Sequence, residues 1–247
     1  MIFLILAVLI FMAILNAIIP LPGFSFFIPL LSTVMSTQGA LTFATIYFLI
    51  SSSIIVFVFR KYLRKELIIL LLPASIIGAL AGSFFSAALN EKLLTAVIFI
   101  FVVYFLIKKI RALKQPTDKE VKKSSKKERH TVAFVGIVSG FLQGGGLGGG
   151  DVRNGFLYAK GLTMQEVRAT TAAVGVGNFL IAMITRGATG HIVIEQLWVF
   201  LVMIPLLVGA TYIARHITTK LNHKMQNGIV VGLMVVAVGL LVIKLVQ

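Results

Sequence analysis

Cysteine is absent from this 247-residue chain, and acids are scarce: eight Asp and Glu stand against 23 Lys and Arg. The first absence removes disulfides, thiolate metal sites and cysteine nucleophiles, while leaving the redox compartment undetermined. The second leaves no carboxylate pair for acid–base work. The histidines, His130, His191, His216 and His223, fall in or beside expected loops with no metal spacing. No Ser/His/Asp set stands out either, so hydrolytic chemistry has no support, the chain is not expected to be an enzyme, and neither a metal nor a cofactor is expected. No stretch between the apolar runs is long enough for a soluble domain either.

What remains is apolar. Hydrophobic residues make up 58% of the chain and charged ones 13%, and the mean hydropathy is +1.01. A bilayer-spanning helix needs about 20 mostly apolar residues. Runs of that kind recur at Met1 to Ile19, Gly39 to Phe59, Leu67 to Leu89, Leu93 to Ile107, Thr131 to Leu142, Val167 to Ile184, Leu197 to Ile213 and Met225 to Val246. The expected fold class is all-α, a polytopic membrane helical bundle. Met1 to Ile19 has no basic start and no small-residue cleavage site, so a retained first helix is expected rather than a signal peptide.

The net charge of +15 resembles a nucleic-acid signature until it is located. Between Lys108 and Arg129 lie ten Lys and Arg against Asp118, Glu120 and Glu128. Basic residues between spans mark the cytoplasmic side and suit anionic headgroups, so the lipid bilayer is expected as a partner and nucleic acid is not. The linker divides the chain into a first transmembrane repeat (1–113), a basic cytoplasmic linker (114–130) and a second repeat (131–247).

The two halves align. At an offset of 126, Gly23 falls on Gly149, Thr45 on Thr171 and Arg60 on Arg186; after six extra residues the offset becomes 132, and Pro73 falls on Pro205 and Leu89-Asn90 on Leu221-Asn222. Corresponding loops carry opposite charge signatures. Arg60 to Lys65 is basic where Arg186 to Glu195 is nearly neutral, and Asn90-Glu91-Lys92 is neutral where Arg215 to Lys224 is basic. That pattern predicts inverted repeats, with the linker inside and both termini outside. Inversion needs an odd number of crossings, supplied by the short segments Phe24 to Met35 and Val152 to Gly161, which gives about eight long spans plus two short half-helices. The alternative is a parallel arrangement of eight spans in which the short segments are re-entrant.

Each short segment follows a break. Gln143 to Gly155 holds six glycines in seven residues and then Asp151 and Arg153, and each glycine costs roughly 1 kcal/mol relative to alanine inside a helix. Its counterpart, Ile18 to Ser25, breaks with Pro20 and Pro22 instead. Paired breaks in corresponding halves point to a transporter's binding site, because broken backbone at membrane depth survives only when buried or lining a cavity. Gly144 to Gly149 formally satisfies G-x-G-x-x-G, but no strand precedes it and no Gly-Lys-Ser/Thr follows, so nucleotide binding is not expected. Bare amides at a half-helix N-terminus suit an anion. The candidate binding residues are therefore Gln143, Gly148, Gly149, Gly150 and Arg153, with Gly23 and Ser25 in the first half. Thr171 and Asn178 share a helix face, as do Thr45 and Ser52 at the equivalent places, and these four are expected to line the path. Asp151 is either a first-turn cap or a proton-coupling group.

Gly146 to Gly150 and Gly155, followed by Arg168-Ala169-Thr170-Thr171 and Asn178, resemble the second-half signature of the sulfite exporter TauE/SafE family of bacterial membrane transporters. Pro29-Leu30-Leu31 stands where the first-half motif of that family ends in proline, although Pro20, Pro22 and Phe24 replace most of its glycines. The resemblance implies an inner-membrane secondary transporter of sulfite or another sulfur-containing anion, with a homo-oligomer left open. Its rivals are an anion channel and an integral membrane enzyme.

Overall fold

The computed structural model describes residues 8, 10–12, 23–114, 128–191, 198–217 and 223–246. Among them the chain forms helices and turns and no strand. The helices are α1 (Gly23–Leu31), α2 (Thr37–Val58), α3 (Lys65–Ala88), α4 (Glu91–Lys114), α5 (Glu128–Gly144), α6 (Gly150–Ala159), α7 (Met164–Ala188), α8 (Trp198–Ile217) and α9 (His223–Val246). A 3-10 turn, Arg60–Tyr62, joins α2 to α3. Within α2, α3, α4, α7 and α9 lie segments long and apolar enough to cross a membrane. This is the all-α polytopic bundle that the composition predicts.

The order of elements recurs along the chain. Each half runs from a short helix (α1, α6) to three longer ones, and α4 and α9 are both 24 residues long with starts at Glu91 and His223. The first-half break at Ile18 to Pro22 lies outside the described residues, as does the retained helix expected over Met1 to Ile19, except that residues 8 and 10–12 are helical. Most of the expected linker lies outside them too, while its last residues, from Glu128, already belong to α5.

Two compact units emerge, each drawing on both halves of the sequence. The first comprises residues 1–44, 89–118 and 192–247, and the second residues 45–88 and 119–191. In the first, α9 packs on α4 and α1. Its Lys244 reaches the end of α1, donating from Nζ to the carbonyls of Ser32 (2.6 Å) and Met35 (2.9 Å) and standing 3.7 Å from Glu91. A cation there satisfies orphan carbonyls and complements the negative end of the helix dipole. Glu91 in turn accepts from the amide of Thr37.

In the second unit, α3 and α5 touch backbone to backbone. Gly136, Gly140 and Gly144 recur along α5 and Gly78 and Gly82 along α3. A Cβ added at Gly140 would lie 2.0 Å from the carbonyl oxygen of Ser75, and one at Gly82 would lie 2.0 Å from that of Phe141. No side chain fits. Apolar lipid offers no hydrophobic drive between spans, so close approach through small residues is what holds such helices together. The helix α7 opens on a capping box, with Thr163 Oγ1 accepting from the amide of Glu166 and the Glu166 carboxylate accepting from the amide of Thr163.

Candidate functional site

The glycine-rich break lies in the second unit, between α5 and α6. Its first part is a helix stop. Gly146 has φ +77°, its amide donates to the Gln143 carbonyl and that of Leu147 to the Leu142 carbonyl, the paired bonds of a Schellman motif. Gly148 has φ +86°, a region that a side chain rarely enters. Gly149 is glycine for another reason: a Cβ there would sit 1.8 Å from the Ser139 carbonyl oxygen. Gly150 is different again, because a Cβ there meets nothing within 4 Å among the described residues.

Restarting at Gly150, α6 has its N-cap at Gly149, with no side chain closing the cap. Among the described residues nothing accepts from the amides of Gly148, Gly149 and Gly150, so these donors and the positive helix end remain exposed to whatever occupies the break. Asp151 is half-buried in the first turn of α6.

Two residues on, Arg153 is completely buried, as is Arg186 on α7; they are the largest side chains with no exposed surface among the described residues. Burying a cation costs several kcal/mol unless partners repay it. Arg153 Nη2 donates to Gln143 Oε1 at 2.6 Å. The same oxygen accepts from Asn178 Nδ2 at 2.8 Å, and Asn178 Nδ2 also donates to Ser75 Oγ at 2.7 Å. Four helices, α3, α5, α6 and α7, thus meet in one polar group. The polarity of that group is forced. A guanidinium only donates, so Gln143 must present its oxygen, so Asn178 must present its NH2, and Asn178 Oδ1 is turned away.

Three buried atoms of this group have no partner among the described residues: Arg153 Nε, Arg153 Nη1 and Asn178 Oδ1. An unpaired buried donor or acceptor costs about 1–3 kcal/mol, and a charged one more. Two cationic donors and one neutral acceptor, with bare amides at the start of the helix that carries Arg153, are a set of groups suited to an oxyanion.

The structure therefore brings together Gln143, Arg153 and Asn178 and sets the break carrying Gly148, Gly149 and Gly150 directly between Gln143 and Arg153. Ser52 approaches the same region, its Oγ standing 3.6 Å from a Cβ built at Gly175, which Gln143 Nε2 approaches at 3.3 Å. Thr45 is buried on α2. Thr171 is engaged elsewhere, donating to Asn154 Oδ1 at 2.7 Å. Gly23 and Ser25 belong to the first unit, where Gly23 starts α1 and Ser25 is buried in its first turn.

Two participants were not singled out from sequence. Ser75 looks like one small residue among many on α3. Arg186, placed from sequence at the head of a neutral loop, instead lies inside α7 and donates to Ser86 Oγ (3.1 Å) and to the carbonyl of Gly144 (3.4 Å). An arginine beyond the apolar run Val167 to Ile184 reads as interfacial, and only the small residues of α3 make room for it. A cleft of about 550 Å³ in the first unit is lined by Glu91, Lys92 and Lys244. Lys244 there is already met by two carbonyls and Glu91, whereas Arg153 keeps two buried nitrogens without a partner among the described residues.

No curated protein and no solved structure matches the chain. The family model for the sulfite exporter TauE/SafE matches residues 4–241, nearly the whole length and including every candidate site residue. On that match, with its membrane-spanning helices, the chain belongs to the sulfite exporter TauE/SafE family of membrane transporters.

Proposed function

We propose that the chain is a secondary transporter of a small sulfur-containing anion, working by alternating access at helix breaks in the bacterial inner membrane. The observation that carries the reading is Arg153, buried without exposure while two of its nitrogens remain unpaired. An anion seated between Arg153 and the first amides of α6 repays that cost. The proposal gives Gly23 and Ser25 the equivalent role at the first-half break, with Thr45, Ser52 and Thr171 along the path. Asp151 is the proposed coupling group.

Ion pairs within each unit support the inverted arrangement. If α1 and α6 cross, Arg64 and the α6–α7 turn emerge on one side, and the α3–α4 turn and the end of α9 on the other. If α1 and α6 are re-entrant, the bilayer divides both pairs. Arg64 Nη2 lies 2.5 Å from Glu166 Oε1, and Lys244 stands beside Glu91.

The chain lacks cysteine, so single cysteines test this cleanly. With an impermeant thiol reagent outside the cell, Lys92→Cys should label and Thr163→Cys should not; labelling of both would refute the crossing of α6. For transport, sulfite should raise the melting temperature of the purified protein and saturate its flux into proteoliposomes, and Arg153→Gln should abolish both effects. Flux linear in concentration would indicate a channel. Unchanged flux in Asp151→Asn under an imposed pH gradient would remove Asp151 from coupling.

A further inference from the structure

The arrangement of charges and unpaired atoms around Arg153 also bears on the protonation state of the ligand. We infer that the group built on Arg153, Gln143 and Asn178 takes a singly charged oxyanion that still carries a proton, hydrogen sulfite among the sulfur species, in preference to a dianion. The inference rests on the anion-site reading above.

Charge comes first. The hydrogen bond of Arg153 goes to a neutral amide. Asp151 is two residues away on α6, and residues at that spacing do not share a face. Arg186, on the other flank of the break, donates to Ser86 and Gly144. Among the described residues, the groups flanking the break are two guanidiniums and one carboxylate, a balance of one positive charge that a monoanion matches and a dianion overshoots.

Hydrogen-bond polarity gives a second, independent reason. Arg153 and Asn178 hang from the same oxygen of Gln143, so the free donors Arg153 Nε and Nη1 and the free acceptor Asn178 Oδ1 belong to one small group. Because the guanidinium fixes both amides, Asn178 cannot flip to become a donor. A fully deprotonated oxyanion has only acceptors, and would set its lone pairs against Asn178 Oδ1. Hydrogen sulfite offers oxygens to Arg153 and one O–H to Asn178. A site built to hydrogen-bond a ligand O–H rejects the analogue lacking it, because its own buried group is then left unpaired.

Among the described residues, the other charged groups on these helices lie toward their ends, away from this group. Those of α3 are Lys65 and Glu66 at its start, those of α5 are Glu128, Arg129 and His130 at its start, and the remaining pair on α7 is Glu166 and Arg168 near its start. Lys160 follows α6, and Arg60, Lys61 and Arg64 belong to the 3-10 turn region.

The test uses the full chain and three probes across a pH range spanning the second ionisation of sulfite. Sulfite should bind about tenfold more weakly once it is fully deprotonated, as expected for loss of one hydrogen bond and gain of a repelling charge. Methanesulfonate, a monoanion throughout, reports any pH dependence that comes from the protein, Asp151 included, and the pH dependence of sulfite is read relative to it. Sulfate, a dianion throughout, should bind weakly or not at all. Asn178→Leu should bring sulfite at low pH down to the level of methanesulfonate, a ratio that mere destabilisation would not change. Sulfate binding as tight as sulfite, or sulfite affinity rising with pH, would overturn the inference while leaving the anion site standing. Failure of all three probes to bind, or binding unaffected by Arg153→Gln, would remove the anion site itself.

Discussion

Gln143→Glu separates stability from binding, because Gln143 Oε1 holds Arg153 Nη2 at 2.6 Å and Asn178 Nδ2 at 2.8 Å. The replacement keeps the shape and both accepted bonds, and it sets a carboxylate against a buried guanidinium. The bond from the guanidinium is already charge-assisted, and a carboxylate adds an ion pair in the same geometry, so the fold should be as stable as before or slightly more so. The anion loses its attractor. Two unit charges 4 Å apart interact by about 4 kcal/mol at an effective dielectric of 20, which corresponds to roughly three orders of magnitude in affinity. Gln143→Met removes the acceptor and leaves both donors unpaired, which should cost about 2–6 kcal/mol of stability. Melting temperatures of the purified proteins with and without sulfite read both effects. The expected result for Gln143→Glu is an unchanged or raised melting temperature with no response to sulfite. A protein with that substitution that still responds to sulfite, or that unfolds as readily as Gln143→Met, would refute the placement of the anion beside Arg153.

Gly82→Val should prevent accumulation of folded protein, since its Cβ would enter the Phe141 carbonyl and overpacking a rigid contact costs about 1–3 kcal/mol or more; expression followed by size-exclusion chromatography reads this. Gly155→Ala on α6 meets nothing within 4 Å and should stabilise by about 0.5–1 kcal/mol through helix propensity, seen as a raised melting temperature. Thr163→Ala removes the cap of α7 and should cost about 1 kcal/mol without altering sulfite affinity.

Much of this was legible in the chain. The six glycines of 144–150 predict a stop, and α5 ends at Gly144 and α6 begins at Gly150. Gln143, Arg153 and Asn178 are recognisable because polar groups in apolar runs need partners, and they become partners of one another. What stayed hidden are contacts between helices that are apolar on every side. Gly136, Gly140 and Gly144 share a face by spacing, but nothing in α5 alone says that α3 lies against that face. The place of Arg186 is hidden for the same reason. A charge near the end of an apolar run reads as interfacial until Ser86 and the Gly144 carbonyl are seen to receive it.

The seam between α3 and α5 also bears on how such a protein can diversify. Where two backbones meet with no side chain between them, no sequence of small volume changes leads elsewhere, because the first added carbon already collides with a carbonyl. That seam is an evolutionary fixed point. Gly150 and Gly155 on α6, where an added Cβ meets nothing within 4 Å among the described residues, carry no such restriction, so side chains can be tried there while the frame that presents them stays the same.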